Sequence, residues 1–325
     1  MNTNSRTFSK KNTIINIGDY YNRHYLYNKT RTIFNKISKK ECLHPVYRKS
    51  NQVEYLFANN RLILKHRIGS NSRYGIVYLT TSTDNYKFAT KLTPVSFSNY
   101  NEILIATKLS NVTIKDKSPH FLIIYKVMSC DNKRLISSLP NLIKNNDYLI
   151  SVNELVSGNF KNFLLDYNTN PQLIANALQQ ILLAVLSFHY FTGGSFHNDC
   201  HYKNFLFHKI KPGGYFHYNI YGKDVYVKNL GYIWMIWDFG LVKQDYNKTR
   251  RLEDYFRIVS FFYKYYYNEP LKIVQKILEY KNRYLSTFGD SDKRFFEMLF
   301  KLNHLFHFDI PENSKIINKR PYIIK

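Results

Sequence analysis

Along the chain, apolar positions fall into two regimes. Residues 1 to about 60 are polar and basic with scattered aromatics, including the lysine pairs Lys10-Lys11 and Lys39-Lys40. This stretch is read as an extension of uncertain order with one or two helices. From Arg61 the runs RLILKHRI, GIVYLTT and YKFATKL are rich in β-branched and aromatic residues, and Asn, Ser, Asp and Gly clusters separate them. That pattern predicts three antiparallel strands with tight connections. NEILIATKL predicts a helix, and FLIIYKVM and DYLISVNEL predict further strands. After Gly158 the period changes. Pro171 opens a segment with Leu173, Ala177, Leu178, Ile181, Leu182, Val185 and Leu186 at helical spacing, and proline suits a first helical turn. FRIVSFFYKYYY and KRFFEMLFKLNHLF also read as helices. A strand-rich half followed by a helix-rich half predicts an α+β protein of two lobes, with no repeat and no linker between them. The divisions are an extension over 1–60, a strand-rich lobe over 61–156, and a helical lobe over 157–325 that carries an extended hairpin near 208–232.

Composition narrows the class only slightly. A chain of 325 residues, 44% hydrophobic, can bury a real core. The net charge of +24 favours anionic partners, among them nucleotides, acidic protein segments, nucleic acid and membrane headgroups. The same chain is rich in Lys, Asn, Ile, Tyr and Phe, as AT-rich coding produces, so charge names no partner. Cys42, Cys130 and Cys200 are odd in number and widely spaced, which points away from a disulfide framework and toward a reducing compartment. The N-terminal residues lack a signal-length apolar core, and no apolar run reaches the ~18 residues that cross a bilayer. A soluble intracellular protein is expected, of open oligomeric state.

The chemistry concentrates in HNDCHYKNFLF, residues 197–207, and IWMIWDFGLVK, residues 233–243. One loop places Asn204 five residues after Asp199, and Asp238 ends a hydrophobic run before Phe239 and Gly240. H-x-D-x-x-x-x-N followed by D-F-G resembles the catalytic and metal-binding motifs of the protein kinase superfamily. The resemblance implies the two-lobed kinase fold with ATP and Mg²⁺ between the lobes. It makes Asp199 the base that deprotonates the acceptor hydroxyl and makes Asn204 and Asp238 the metal ligands.

The same resemblance extends through the strand-rich half and covers roughly residues 61 to 262. IGSNSRYGIVY is similar to the glycine-rich loop over ATP, with Gly69, Gly75 and Val77 in place and the middle glycine absent near Asn71 or Ser72. KFATKL resembles the strand that sets Ala89 against adenine and Lys91 against the α- and β-phosphates, with Glu102 as the partner of Lys91. VNELVSGNF stands at the hinge, where main chain near Glu154, Leu155 and Val156 would bind the adenine edge.

Departures from the family pattern refine the expectation. Asn198 replaces the arginine that receives an activation-loop phosphate. The segment from Asp238 to Asp254 is short, has no A-P-E, and holds Thr249 as its one non-tyrosine hydroxyl. Phosphorylation of that segment is therefore not expected to control activity. His201 stands where protein Ser/Thr kinases carry lysine, as it does in aminoglycoside-, choline- and haspin-like kinases. It is read either as a donor to the γ-phosphate, with Lys203 adding charge, or as a cap on the loop. Asp254 is read either as the anchor of the catalytic loop or as a solvated helix-start residue. Together these features resemble the divergent kinases of large DNA viruses. The expected activity is phosphoryl transfer to Ser or Thr of proteins, acidic ones suiting the basic surplus. The alternatives are a small-molecule kinase of aminoglycoside or choline type and a pseudokinase scaffold. Zinc at His197, Cys200 and His201 fits no common spacing, and no recognition motif supports nucleic-acid binding.

Overall fold

The computed structural model describes residues 17–47, 53–68, 75–131, 147–167, 170–246, 250–265, 272–284, 291–302 and 308–325. It is a mixed α/β fold with a curled sheet in the N-terminal region and helices after it, an arrangement consistent with two lobes. The strand-rich part is built from β1 (His44–Tyr47), β2 (Val53–Phe57), β3 (Leu62–Ile68), β4 (Ile76–Ser82), β5 (Lys87–Pro94), β6 (Ile124–Cys130) and β7 (Tyr148–Glu154). They hydrogen-bond in the order β1-β2-β3-β4-β5-β7-β6, all antiparallel. Interior strand β7 is buried along its whole length, which requires cover on both faces of the sheet.

Each face has its own cover. Helix α1 (Asn22–Asn35) lies over one, where Phe34 and Ile37 join Phe88, Leu92, Ile150 and Val152 in a closed apolar cluster. The ring of Phe34 meets that of Phe88 edge-on at 5.4 Å. Helix α2 (Phe97–Ile114) serves the opposite face; its start is capped by Ser96, whose hydroxyl accepts the Asn99 N–H at 3.2 Å. The sequence reading left residues 1–60 as an extension. In the fold, residues 17–47 are instead structural, and β2 already pairs with β3 before residue 61. The polar helix α1 hid this role, because only Arg23, Thr30 and Phe34 of its residues are buried.

The expectation of unpaired cysteines is also overturned. Cys42 and Cys130 form a disulfide across a sequence separation of 88, and Cys200 is free and buried. The strand-like pairing of Lys39–Glu41 with Ser129 lays the two cysteines side by side. Spacing along the chain carries no trace of that contact, and cysteine usage therefore gives no argument for a reducing compartment.

In the second half, β8 (Gly158–Asn159) and α3 (Phe160–Tyr167) lead to α4 (Pro171–Thr192). Asn170 caps α4 by accepting the Leu173 N–H, Pro171 occupies its first turn, and Gly193 ends it at φ 78°. Among the described residues α4 is the one helix long and apolar enough to cross a membrane, and 83% of its apolar window is buried inside the fold. Its apolar length is that of a central core helix. Strand β9 (Ser195–Phe196) follows, and then β10 (Phe205–Lys209) pairs with β13 (Tyr232–Ile236). Between them β11 (Tyr215–Ile220) and β12 (Lys223–Lys228) make a hairpin. Tyr221 at φ 51° and Gly222 at φ 82° supply the positive dihedrals of its two-residue turn. After β14 (Lys243–Gln244) come α5 (Arg251–Tyr265), α6 (Lys272–Tyr284), α7 (Ser291–Lys301) and β15 (Tyr322–Ile324). Strand β15 lies parallel to β11.

A cross-link spanning this length is worth about 4–5 kcal/mol by chain entropy. Denatured, unreduced protein is expected to titrate one thiol and reduced protein three. Cys42→Ser should lower the melting temperature, and three thiols before reduction would contradict the pairing.

Candidate functional site

Alternation in β5 sends Ala89 and Lys91 to the face opposite α1, and Val77, the cross-strand partner of Lys91, joins them. Lys91 and Glu102 are both buried, and their side chains meet at 2.6 Å. Gly75 permits this crowding: a Cβ there would stand 2.6 Å from Thr93 Cγ2 and 2.9 Å from the Leu92 carbonyl. Gly69 lies outside the described residues, as do Asn71 and Ser72.

The loop bearing Asp199 is held from beneath by Asp254. Its carboxylate accepts the N–H of His197 at 2.6 Å and that of Asn198 at 3.0 Å. Asn198 sits at φ 65°, a left-handed turn that short polar side chains tolerate. Of the two sequence readings of Asp254, the anchoring one matches the geometry. Behind it, His189 bridges Asp254 at 3.0 Å and Asp292 at 2.8 Å, and Asp292 also binds Arg251 and Tyr255. Burial works to raise both carboxyls, yet His189 keeps Asp254 and Asp292 below their ordinary values. Burial likewise opposes a charged His189, but Asp292 and Asp254 outweigh it and push the imidazole up to about 9.

Asp199 is partly exposed, and its carboxylate accepts the Asn204 side-chain N–H at 3.2 Å. Asn204 also donates to the Asp199 carbonyl at 2.9 Å, which turns its amide nitrogen toward Asp199 and leaves Oδ1 as an acceptor. His201 Nδ1 accepts the Lys203 N–H at 3.2 Å, so the ring caps the turn at 202–204, and Nε2 stands 3.4 Å from Asp199. Arg257 was missed by the sequence reading. It reaches the Asn198 carbonyl at 2.8 Å and stands 3.8 Å from Asp199. Its signal was available, since Arg257 lies one helical turn beyond Asp254 and shares its face.

Asp238 follows β13 at φ 68°. The Trp237 N–H donates to the Asn204 carbonyl at 3.0 Å, which sets the two loops side by side. Phe239 stacks on Phe188 at 5.5 Å, and both rings meet that of His197 in the loop bearing Asp199. Gly240 lies between the two carboxylates: a Cβ there would be 3.6 Å from Glu102 Oε2 and 3.8 Å from Asp238 Oδ1. Ser98, at the start of α2, donates to the Gly240 carbonyl at 3.0 Å. Thus Lys91, Glu102 and Asp238 are gathered on one side, with Asp199 and Asn204 on the adjoining loop.

At the end of β7 one main-chain donor is engaged within the fold. Glu154 does not offer its N–H, which donates to the Ile123 carbonyl at 2.9 Å. Its side chain turns to the α1 face and pairs with Arg23. Among the described residues no hydrogen bond takes the Val156 N–H.

No family model matches the chain. A stretch of 76 residues, 23% of this chain, is 38% identical to a Frog virus 3 (isolate Goorha) protein named "Putative serine/threonine-protein kinase 019R". The chain spans 9% of that protein's length. The likeness covers a short stretch of each chain.

His189 generates a pH test. An imidazole raised to about 9 on folding stabilises fully below the ordinary value near 6.5. That contribution fades as pH rises through 9, by an amount on the order of 3 kcal/mol. The groups facing the ring are Asp254, Asp292 and Tyr255. The melting temperature should fall between pH 6.5 and 9.5, and His189→Gln should flatten that part of the curve. An identical slope in the variant contradicts the assigned charge state.

Proposed function

We propose that this chain is an ATP-dependent phosphotransferase of the protein-kinase type, acting on Ser or Thr hydroxyls of proteins. One observation carries the reading: the buried Lys91–Glu102 pair stands beside Asp238 and the loop of Asp199 and Asn204. The strand order β3-β4-β5-β7-β6 with α2 on one face supports the small lobe that the sequence resemblance implies. In this reading residues 61–156 are that lobe, 17–60 reinforce it, and 157–325 form the helical lobe.

Asp199 takes the proton of the acceptor hydroxyl as the hydroxyl oxygen attacks the γ-phosphorus; the bond from that phosphorus to the β–γ bridging oxygen breaks, and ADP leaves with its electron pair. Lys91, held in place by Glu102, binds the α- and β-phosphates. Gly69, Gly75 and Val77 cover the nucleotide, Ala89 lies against adenine, and main chain at Glu154–Val156 meets the adenine edge. The hinge donor is the Val156 N–H, since that of Glu154 is engaged. Mg²⁺ suits the donors present, because the Asn204 amide oxygen and the Asp238 carboxylate are hard oxygen ligands. When bound, the metal neutralises charge on the phosphates. Arg257 screens Asp199 from one side, and His201 fixes the turn that presents Asn204.

The test is labelled ATP and Mg²⁺ with purified protein against casein, myelin basic protein and histone. Lys91→Ala, Asp199→Asn and Asp238→Ala should each lower turnover by about 10²-fold or more. The two aspartate variants should melt near wild type, whereas Lys91→Ala, which leaves Glu102 buried and unpaired, should melt lower but still fold. Phosphoamino-acid analysis should return Ser or Thr. Labelling of aminoglycosides or choline alone would move the acceptor to the small-molecule class, and near-wild-type turnover in any of the three variants would remove the site assignment.

Thr249, which lies outside the described residues, gives a separate prediction. Thr249→Ala should keep most activity, because Asn198 provides no arginine to read a phosphate. Loss restored by Thr249→Glu would reveal a phosphate switch.

A further inference from the structure

The two halves of the fold meet where β7 ends, and one guanidinium from the N-terminal segment occupies that junction. Arg23, in the first turn of α1, donates through Nε to Glu154 Oε2 at 3.0 Å and through Nη2 to Oε1 at 2.6 Å. Its Nη1 reaches the Pro119 carbonyl at 2.8 Å, and Nη2 reaches the Phe121 carbonyl at 2.6 Å and the Met235 sulfur at 3.3 Å. Glu154 also accepts the Ile123 N–H at 2.7 Å and faces His208 Nε2 at 2.9 Å. Arg23 and Glu154 are 3% and 4% exposed. The pair therefore ties together five segments: α1, the connection from α2 to β6, the end of β7, β10 and β13.

These segments are those that the proposed site depends on. Strand β10 leads out of Asn204, β13 leads into Asp238, and Glu154 is followed directly by Leu155 and Val156. A planar, five-donor guanidinium imposes direction as well as charge, which an ammonium at the same place would not. Arg23 is not what fastens α1 to the sheet, since Phe34 and Ile37 bury themselves there and Cys42–Cys130 closes the far end of the segment. Removing the guanidinium thus releases the hinge while α1 stays docked. Beside the pair lies a cavity of about 270 Å³ lined by Arg23, Leu26, Tyr86, Tyr125, Glu154 and His208 among others. The hinge therefore has room to shift if the pair is broken.

We propose that Arg23 is a positioning residue for the nucleotide site: it fixes the Glu154–Val156 main chain from behind, so that nucleotide affinity depends on the N-terminal segment. The inference rests on the phosphotransferase reading and goes beyond it by placing a determinant of nucleotide binding on the opposite face of the sheet. Arg23 touches no substrate in this scheme. Its effect is expected in the KM for ATP more than in kcat, because Asp199, Lys91 and Asp238 keep their own supports.

The experiment titrates a fluorescent ATP analogue with Mg²⁺ into the full-length wild type, Arg23→Lys, Arg23→Gln and the double variant Arg23→Gln/Glu154→Gln. Melting curves accompany each titration. Arg23→Gln should weaken binding and raise the KM for ATP by about tenfold, with kcat within about threefold of wild type. Arg23→Lys should recover part of the affinity. The double variant, which no longer buries an unpaired carboxylate, should melt closer to wild type than Arg23→Gln yet still bind the nucleotide weakly. If Arg23→Gln does not fold, the double variant decides. Wild-type affinity in any folded variant lacking Arg23 overturns the proposal, as does a fall in kcat with KM unchanged. A wild type that binds no nucleotide at all defeats the phosphotransferase reading itself, an outcome distinct from either.

Discussion

A carboxylate sealed from water must be given partners, and the loop of Asp199 is shaped by that requirement. Asp254 takes two successive backbone N–H groups, from His197 and Asn198, and so forces the chain through the left-handed turn that turns Asp199 outward. The anchor is itself fixed by the charged His189, which is fixed in turn by Asp292 and Arg251. Four elements contribute to this buried relay: α4, α5, α7 and the loop after β9. Because each member leaves an uncompensated charge if its neighbour is lost, the relay acts as one unit. It brings the packing of the last helices to bear on the placement of a single exposed carboxylate.

The upper part of the site follows a parallel logic with less machinery. One lysine on a strand, one glutamate on the helix behind it, and a glycine too crowded to bear a Cβ determine where the cation sits. The Ser98–Gly240 bond then couples the start of α2 to the residue after Asp238 and Phe239. The position of α2 is therefore shared between the cation and the second carboxylate.

What the sequence makes legible is local. Runs rich in β-branched and aromatic residues mark β3, β4, β5, β6 and β7, and Pro171 with the helical spacing after it marks α4, because composition and periodicity are properties of neighbouring residues. Asp199, Asn204 and Asp238 are legible because their spacing is short and ordered. Contacts made across the fold leave no such record. Arg23 finds Glu154 over a separation of 131 residues, Cys42 finds Cys130 over 88, and His189 finds Asp292 over 103. Helix α1 looks dispensable in sequence since its buried positions are few, yet it covers one face of the sheet. His201 was open to two readings because a histidine before a turn can cap it or project from it, and Nδ1 caps it here.

The two ends of the described chain meet. Strand β15 pairs in parallel with β11, and the Tyr322 hydroxyl donates to that of Tyr20 at 3.2 Å across a separation of 302 residues. A ribosome emits residue 20 long before residue 322, so the inserted hairpin waits without its third strand while the sheet in front of it is already complete in sequence. The strand-rich half can begin to fold during synthesis, but the hairpin sheet gains its third strand only after residues 322–324 have been made. In that interval the exposed edge of β11 is open to other strands. The timing of translation and the local concentration of nascent chains thereby become determinants of how much protein reaches the native state.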